Sequence, residues 1–162
     1  MTEQPQFQIA VPSNKKYTFH YPLGGQTIEL QTTDRGFITR VLGLIDKKPL
    51  QIDIETSNEE AFQAEMDQVV PDSMNAAEDG IGPYKLNLKT ASGSRKIKRV
   101  FDGGNDLGYM DQTFLKIASG YYRIAMLCDV DRYDMARRVL EIIINSFSDY
   151  SDLPVEGVDG KL

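Results

Sequence analysis

Four aspartates, Asp102, Asp106, Asp111 and Asp129, are the side chains whose type and spacing come nearest to chemistry in this 162-residue chain. Carboxylate oxygens brought together by a loop can hold a hard divalent cation. The loop from 102 to 108 reads Asp-Gly-Gly-Asn-Asp-Leu-Gly, without the ligand positions or closing glutamate of an EF-hand. Its glycines also miss the spacing of a dinucleotide fingerprint, and no helix follows them. A divalent-metal-dependent small enzyme built on these acids is the alternative reading, and a solvated polar turn is the simpler one.

Asp129-Val130-Asp131 follows the apolar run Ile124–Leu127 and is similar to the DxD loop of haloacid-dehalogenase phosphatases. Those enzymes need a doubly wound sheet after the loop, and only about 30 residues remain here, roughly one strand-helix-strand unit. Tyr133 also stands where that motif takes Thr or Val. Acidic capping of the last helix is the better use of these carboxylates. One histidine and one cysteine exclude the usual zinc ligand sets and any internal disulfide. His20 lies on the polar phase of the Tyr17-Phe19-Tyr21 alternation, and no nucleophile elbow accompanies it. No catalytic residue, metal ligand or cofactor is assigned.

Recognition is the remaining chemistry. Arg95, Lys96, Lys98 and Arg99 form the strongest charge cluster, joined by Lys85 and Lys89 on the preceding strand. Alternation sends Arg95 and Arg99 to one face and Lys96 and Lys98 to the other, which splits the charge across the sheet. Residues 1–80 carry 6 basic and 13 acidic groups, and residues 81–162 carry 12 and 11. A solvated edge hairpin, paired with the acidic first half, is the simplest reading; among partners the cluster suits an acidic protein surface better than nucleic acid, which stands as the weaker alternative. Tyr109, Phe114, Tyr121 and Tyr122 concentrate aromatic area on two long strands, where outward members would form a partner-binding patch.

The elements that must position these groups follow from periodicity. Phe7-Ile9-Val11, Tyr17-Phe19-Tyr21, Ile28-Leu30-Thr32 and Leu50-Ile52-Ile54 alternate, as strands with one buried face require, and Phe37–Ile45 is a denser apolar run. The period changes at Ser57, which with Glu60 predicts a capping box, and a helix carries Phe62, Met66, Val69 and Val70 until Pro71. Residues 72–83 read as a loop. Strands follow at Tyr84–Leu88, Lys96–Phe101, Tyr109–Ala118 and Tyr121–Cys128. Asp131 or Asp134 is expected to cap a final helix whose apolar face includes Met135, Ala136, Val139, Leu140, Ile142, Ile143 and Phe147. The order strands, helix, four strands, helix predicts an α+β fold, an antiparallel sheet flanked by helices. Residues 1–148 form one domain on this reading, and 149–162 an acidic, disordered tail. No run reaches the ~20 apolar residues of a membrane span, and the N-terminal segment has no apolar signal core, so a cytoplasmic protein is expected.

The segment YMDQTFLKIASGYYRIAMLCDVDRYDMARRVLEIIINSFS resembles the closing hairpin and helix of the PsbP, DcrB and Mog-type superfamily, including a finish on a pair like Ser146-Phe147. The opening FQIAVPSNKKYTFHYP is similar to that family's first strand and Pro-containing turn. The resemblance, nearest to the DcrB-like branch, implies an α/β/α sandwich. It also implies action by binding: known members include photosystem accessory proteins, Ran-binding proteins and chaperones that hold apolar segments of secreted proteins. The family shares no catalytic residues. The expectation is a non-enzymatic protein-binding module, an adaptor or chaperone that holds its partner on a sheet face.

Overall fold

The computed structural model describes residues 7–69 and 80–152. Seven antiparallel strands make the main sheet in the order β3-β4-β5-β9-β8-β7-β6, and β1, β2 and β10 make a small second sheet. The strands are β1 (Phe7–Ala10), β2 (Tyr17–Pro22), β3 (Gln26–Thr32), β4 (Gly36–Ile45), β5 (Lys48–Thr56), β6 (Gly80–Asn87), β7 (Ser92–Asp102), β8 (Asn105–Ile117), β9 (Gly120–Cys128) and β10 (Ser148–Asp149). Helix α1 (Glu59–Met66) interrupts β5 and β6, and α2 (Val130–Ser146) follows β9. The expected α+β class, antiparallel sheets flanked by helices, is the observed one.

Tight turns keep the neighbours antiparallel. Asp46 and Lys47, both at positive φ (53° and 67°), close β4 onto β5, and Gly103 and Gly104 (57° and 88°) close β7 onto β8. Two consecutive left-handed residues match the twist of a hairpin. The glycine-rich segment at 102–108 is therefore a two-residue turn, and Asn105 already pairs with Asp102 as strand.

One face of the main sheet holds the core. Ile52, Ile54, Leu115, Ile124 and Met126 project from it onto Tyr133, Ala136, Leu140, Ile143 and Phe147 of α2 and its C-terminus. Residues three and four apart share one side of a helix, so this stripe lies flat on the strands. Each fully buried side chain of this size contributes roughly 1.5–3 kcal/mol. Met135, expected on the apolar face, is instead 54% exposed. The small sheet lies beside α2 on the same face, with Tyr17, Phe19 and Tyr21 turned inward and Tyr17 stacked on Phe147 at 5.0 Å.

Both helix starts differ from the expected ones by a few residues. Asn58, not Ser57, caps α1, its Oδ1 accepting from the Ala61 amide at 2.8 Å. Ser57, just past the end of β5, is still tied to the sheet, because its amide donates to the Tyr121 carbonyl at 2.8 Å. Asp129, not Asp131 or Asp134, caps α2 from extended backbone and accepts from the Arg132 amide. Pro71, most of the 72–83 loop and residues 153–162 lie outside the described residues. The boundary expected after 148 falls later, because β10 pairs Asp149 with Tyr17 and the Asp149 carboxylate accepts from the Ser119 amide at 2.6 Å. A short 3-10 turn then runs to Asp152.

Candidate functional site

The second face of the main sheet is built differently. Among the described residues α1 covers its β6–β8 end, through Phe62 against Tyr121 at 5.2 Å and Glu65 against Lys96 at 3.3 Å. Further across, register sets Arg40 opposite Asp53 and Glu55 opposite Arg123. A fifth charge arrives from the β3–β4 turn, where the Arg35 amide donates to Thr32 Oγ1 and the Arg35 side chain folds back over β5.

These side chains form a ladder. Arg40 donates to both oxygens of Asp53 at 2.8 and 3.1 Å, and Arg35 donates to Asp53 at 3.0 Å and to Glu55 at 2.8 Å. Arg123 joins Glu55 to Gln112 Oε1, donating to the latter at 2.8 Å. Burial would raise the Asp53 carboxyl, but the Arg40 and Arg35 hydrogen bonds outweigh it and hold the group below the usual aspartate range. Its stabilising contribution is thus complete above pH ~4 and disappears as pH falls through the lower folded value. At pH 7, Asp53→Asn is expected to be less stable than the native chain by about 1–2 kcal/mol. Urea unfolding between pH 7 and pH 2 should show that gap closing below pH ~4, and a constant gap would contradict the pairing.

Beside the ladder lies an open concavity of about 390 Å³, whose lining combines polar Arg35, Gln51, Asp53 and Arg123 with apolar Met110, Ala125 and Leu127. Leu127 is 45% exposed there. Guanidinium groups that are held in place next to apolar area are a composition enriched at recognition surfaces.

The residues singled out from sequence are dispersed. Arg95 is 6% exposed and lies under α2, donating twice to Asp111 at 2.8 and 2.7 Å and once to Glu141 at 3.1 Å. Tyr133 Oη also donates to Asp111, at 2.7 Å. Burial and the adjacent Asp111 raise the Tyr133 hydroxyl above its ordinary value. Phe114 (8% exposed) and Tyr122 (3%) are packed in the interior, Tyr122 against Tyr17 and Phe147. Arg95, Phe114 and Tyr122 therefore cannot form the surface patch expected of them: the strands that carry them are covered on both faces at those positions.

The alternation of the basic cluster is as read, with Arg95 on the α2 face and Lys96 on the α1 face, and Lys98 is exposed. Arg99 and Tyr109 meet at the β7–β8 end, the guanidinium 5.3 Å from the Tyr109 ring and 5.7 Å from Phe101. Tyr121 is half-buried under α1, while Lys85 and Lys89 are exposed on and just after β6. The four aspartates do not converge. Asp111 is buried with Arg95, Asp106 pairs with Arg99, Asp129 caps α2, and Asp102 is exposed beside the turn. Among the described residues no three His, Cys, Asp or Glu side chains are grouped as a cation site.

Sequence reading passed over Arg35, Arg40, Asp53, Glu55 and Arg123. The available signal was Arg40 and Arg123 inside apolar strand runs, since an arginine within a strand needs a partner.

This arrangement, an antiparallel sheet with α2 and the small sheet on one face and α1 on the other, defines a PsbP-like α+β sandwich. The chain is similar to the solution structure of cyanobacterial PsbP from Synechocystis sp. PCC 6803, with a TM-score of 0.58 and 15% identity over 90% of this chain and 93% of that one. No family model matches the sequence, and no curated protein matches it. No helix among the described residues is long and apolar enough to cross a membrane.

Proposed function

We propose that this protein is a non-enzymatic binding module that holds a protein partner on the sheet face opposite α2, as an adaptor or chaperone of the DcrB-like type acting in the cytoplasm. The observation that carries the reading is the concavity between β5, β8 and β9, where arginines fixed by carboxylates adjoin exposed Leu127. Fixed side chains lose little further entropy on binding, so such a face is prepared for contact. The likeness in fold to PsbP supports a scaffold and assigns no partner. The metal-dependent alternative would need its four acids in one place, and they occupy four separate settings.

Affinity capture from the source organism tests the proposal with three baits: the native chain, Leu127→Asp on the candidate face, and Met135→Asp on the outer side of α2. A partner retained by the native chain and Met135→Asp, and depleted at least tenfold with Leu127→Asp, is expected. A charge buried in an apolar contact costs enough to produce that loss. Retention by all three baits, or by none, contradicts the proposal.

A further inference from the structure

The ladder has a surplus that nothing among the described residues consumes. Arg35, Arg40 and Arg123 face two carboxylates, Asp53 and Glu55, so the cluster is cationic in a chain of net charge −6. Each guanidinium has five N–H donors in a planar fork. The ladder uses two donor nitrogens of each: Nε and Nη2 of Arg40 and of Arg35, and Nε and Nη1 of Arg123. Among the described residues the second terminal nitrogen of each arginine has no partner, and Arg35 and Arg123 border the concavity. Met110, Ala125 and Leu127 supply the apolar part of the lining.

We propose that this concavity recognises a carboxylate carried next to apolar side chains, supplied by an extended acidic segment of the partner protein. The inference rests on the proposed binding face and names the chemistry of its partner. Asp53 and Glu55 act as positioning residues: they hold Arg35 and Arg123 in fixed rotamers, and the remaining terminal nitrogen of each donates a charge-assisted hydrogen bond to the incoming carboxylate. Leu127 and Met110 take the neighbouring apolar side chain. Alternating acidic and apolar residues in an extended segment would present both groups at once, and the surplus positive charge of the ladder attracts its carboxylates.

Titration of the isotope-labelled full chain with a blocked hexapeptide of alternating leucine and glutamate, followed by NMR, tests the inference. Saturable shifts at Asp53, Arg123 and Leu127 are expected, with binding at least tenfold weaker for the glutamine counterpart and for Arg123→Gln, because each loses a charged hydrogen bond. Arg137→Gln, on α2 over the other face, should bind as the native chain does. Arg35→Gln replaces Arg123→Gln if the latter melts early. Glutarate forms the second arm. Saturation by glutarate at the same residues without binding of the peptide keeps the carboxylate site and overturns the protein segment as its source. No saturable shift with either probe, or equal binding of the glutamine peptide, overturns the site itself, whereas capture sensitive to Leu127→Asp would still uphold the binding face.

Discussion

Asp111→Ala is expected to lower the unfolding free energy by about 3–5 kcal/mol, one of the largest losses available to a single substitution in this chain. Asp111 has no exposed surface, and its two oxygens accept from Arg95 Nε, Arg95 Nη2 and Tyr133 Oη beneath α2. Removing it leaves a buried guanidinium with Glu141, at the edge of the helix, as its one remaining charged partner among the described residues. The desolvation cost of Arg95 then stands without its main compensation. The double variant Arg95→Met/Asp111→Leu replaces the pair with apolar groups and should recover most of the loss, because no charge is stranded. Urea unfolding of the two singles and the double measures this. A loss under 1 kcal/mol for Asp111→Ala, or a double variant as unstable as the sum of the singles, would contradict the clamp.

Gly93→Ala should cost about 3 kcal/mol or more for a different reason. Gly93 pairs with Leu115, and a Cβ built on it would overlap the Phe114 carbonyl oxygen. The obstacle is backbone of the neighbouring strand, so relief requires β7 and β8 to separate near the start of β7. Gly43 in β4 is the internal control. A Cβ there meets nothing within 4 Å, and Gly43→Ala should be neutral or stabilising by up to about 1 kcal/mol. Thermal unfolding of the pair decides the point. Equal melting temperatures would show that the close approach of β7 and β8 carries no energetic weight.

Element order and class were legible because period-two and period-3.6 patterns are local. The cap of α2 was less so, since Asp129, Asp131 and Asp134 all have the right chemistry and only Asp129 has the extended backbone (φ −65°, ψ 162°) a cap needs. Ser57 lost the α1 cap to Asn58 because its amide was already committed to β9, a contact 64 residues away that no local pattern reports. Burial of Arg95, Phe114 and Tyr122 depended on which helix covers which face. Alternation assigns faces correctly but does not say that both are covered. The arginine ladder was hidden for the same reason. Arg123 and Glu55 meet only because β9 inserts beside β5, bringing together residues 68 apart in sequence. Strand order in a sheet is a long-range property, and the site is made by it.

Photo-crosslinking in living cells is the most direct test of recruitment by the concave sheet face. With p-benzoylphenylalanine at position 127 or, as its counterpart on the outer side of α2, at position 135, brief irradiation should yield a discrete heavier adduct from 127 and none from 135. Adducts of equal yield from both positions, or none from 127, would mean that this face does not hold a partner.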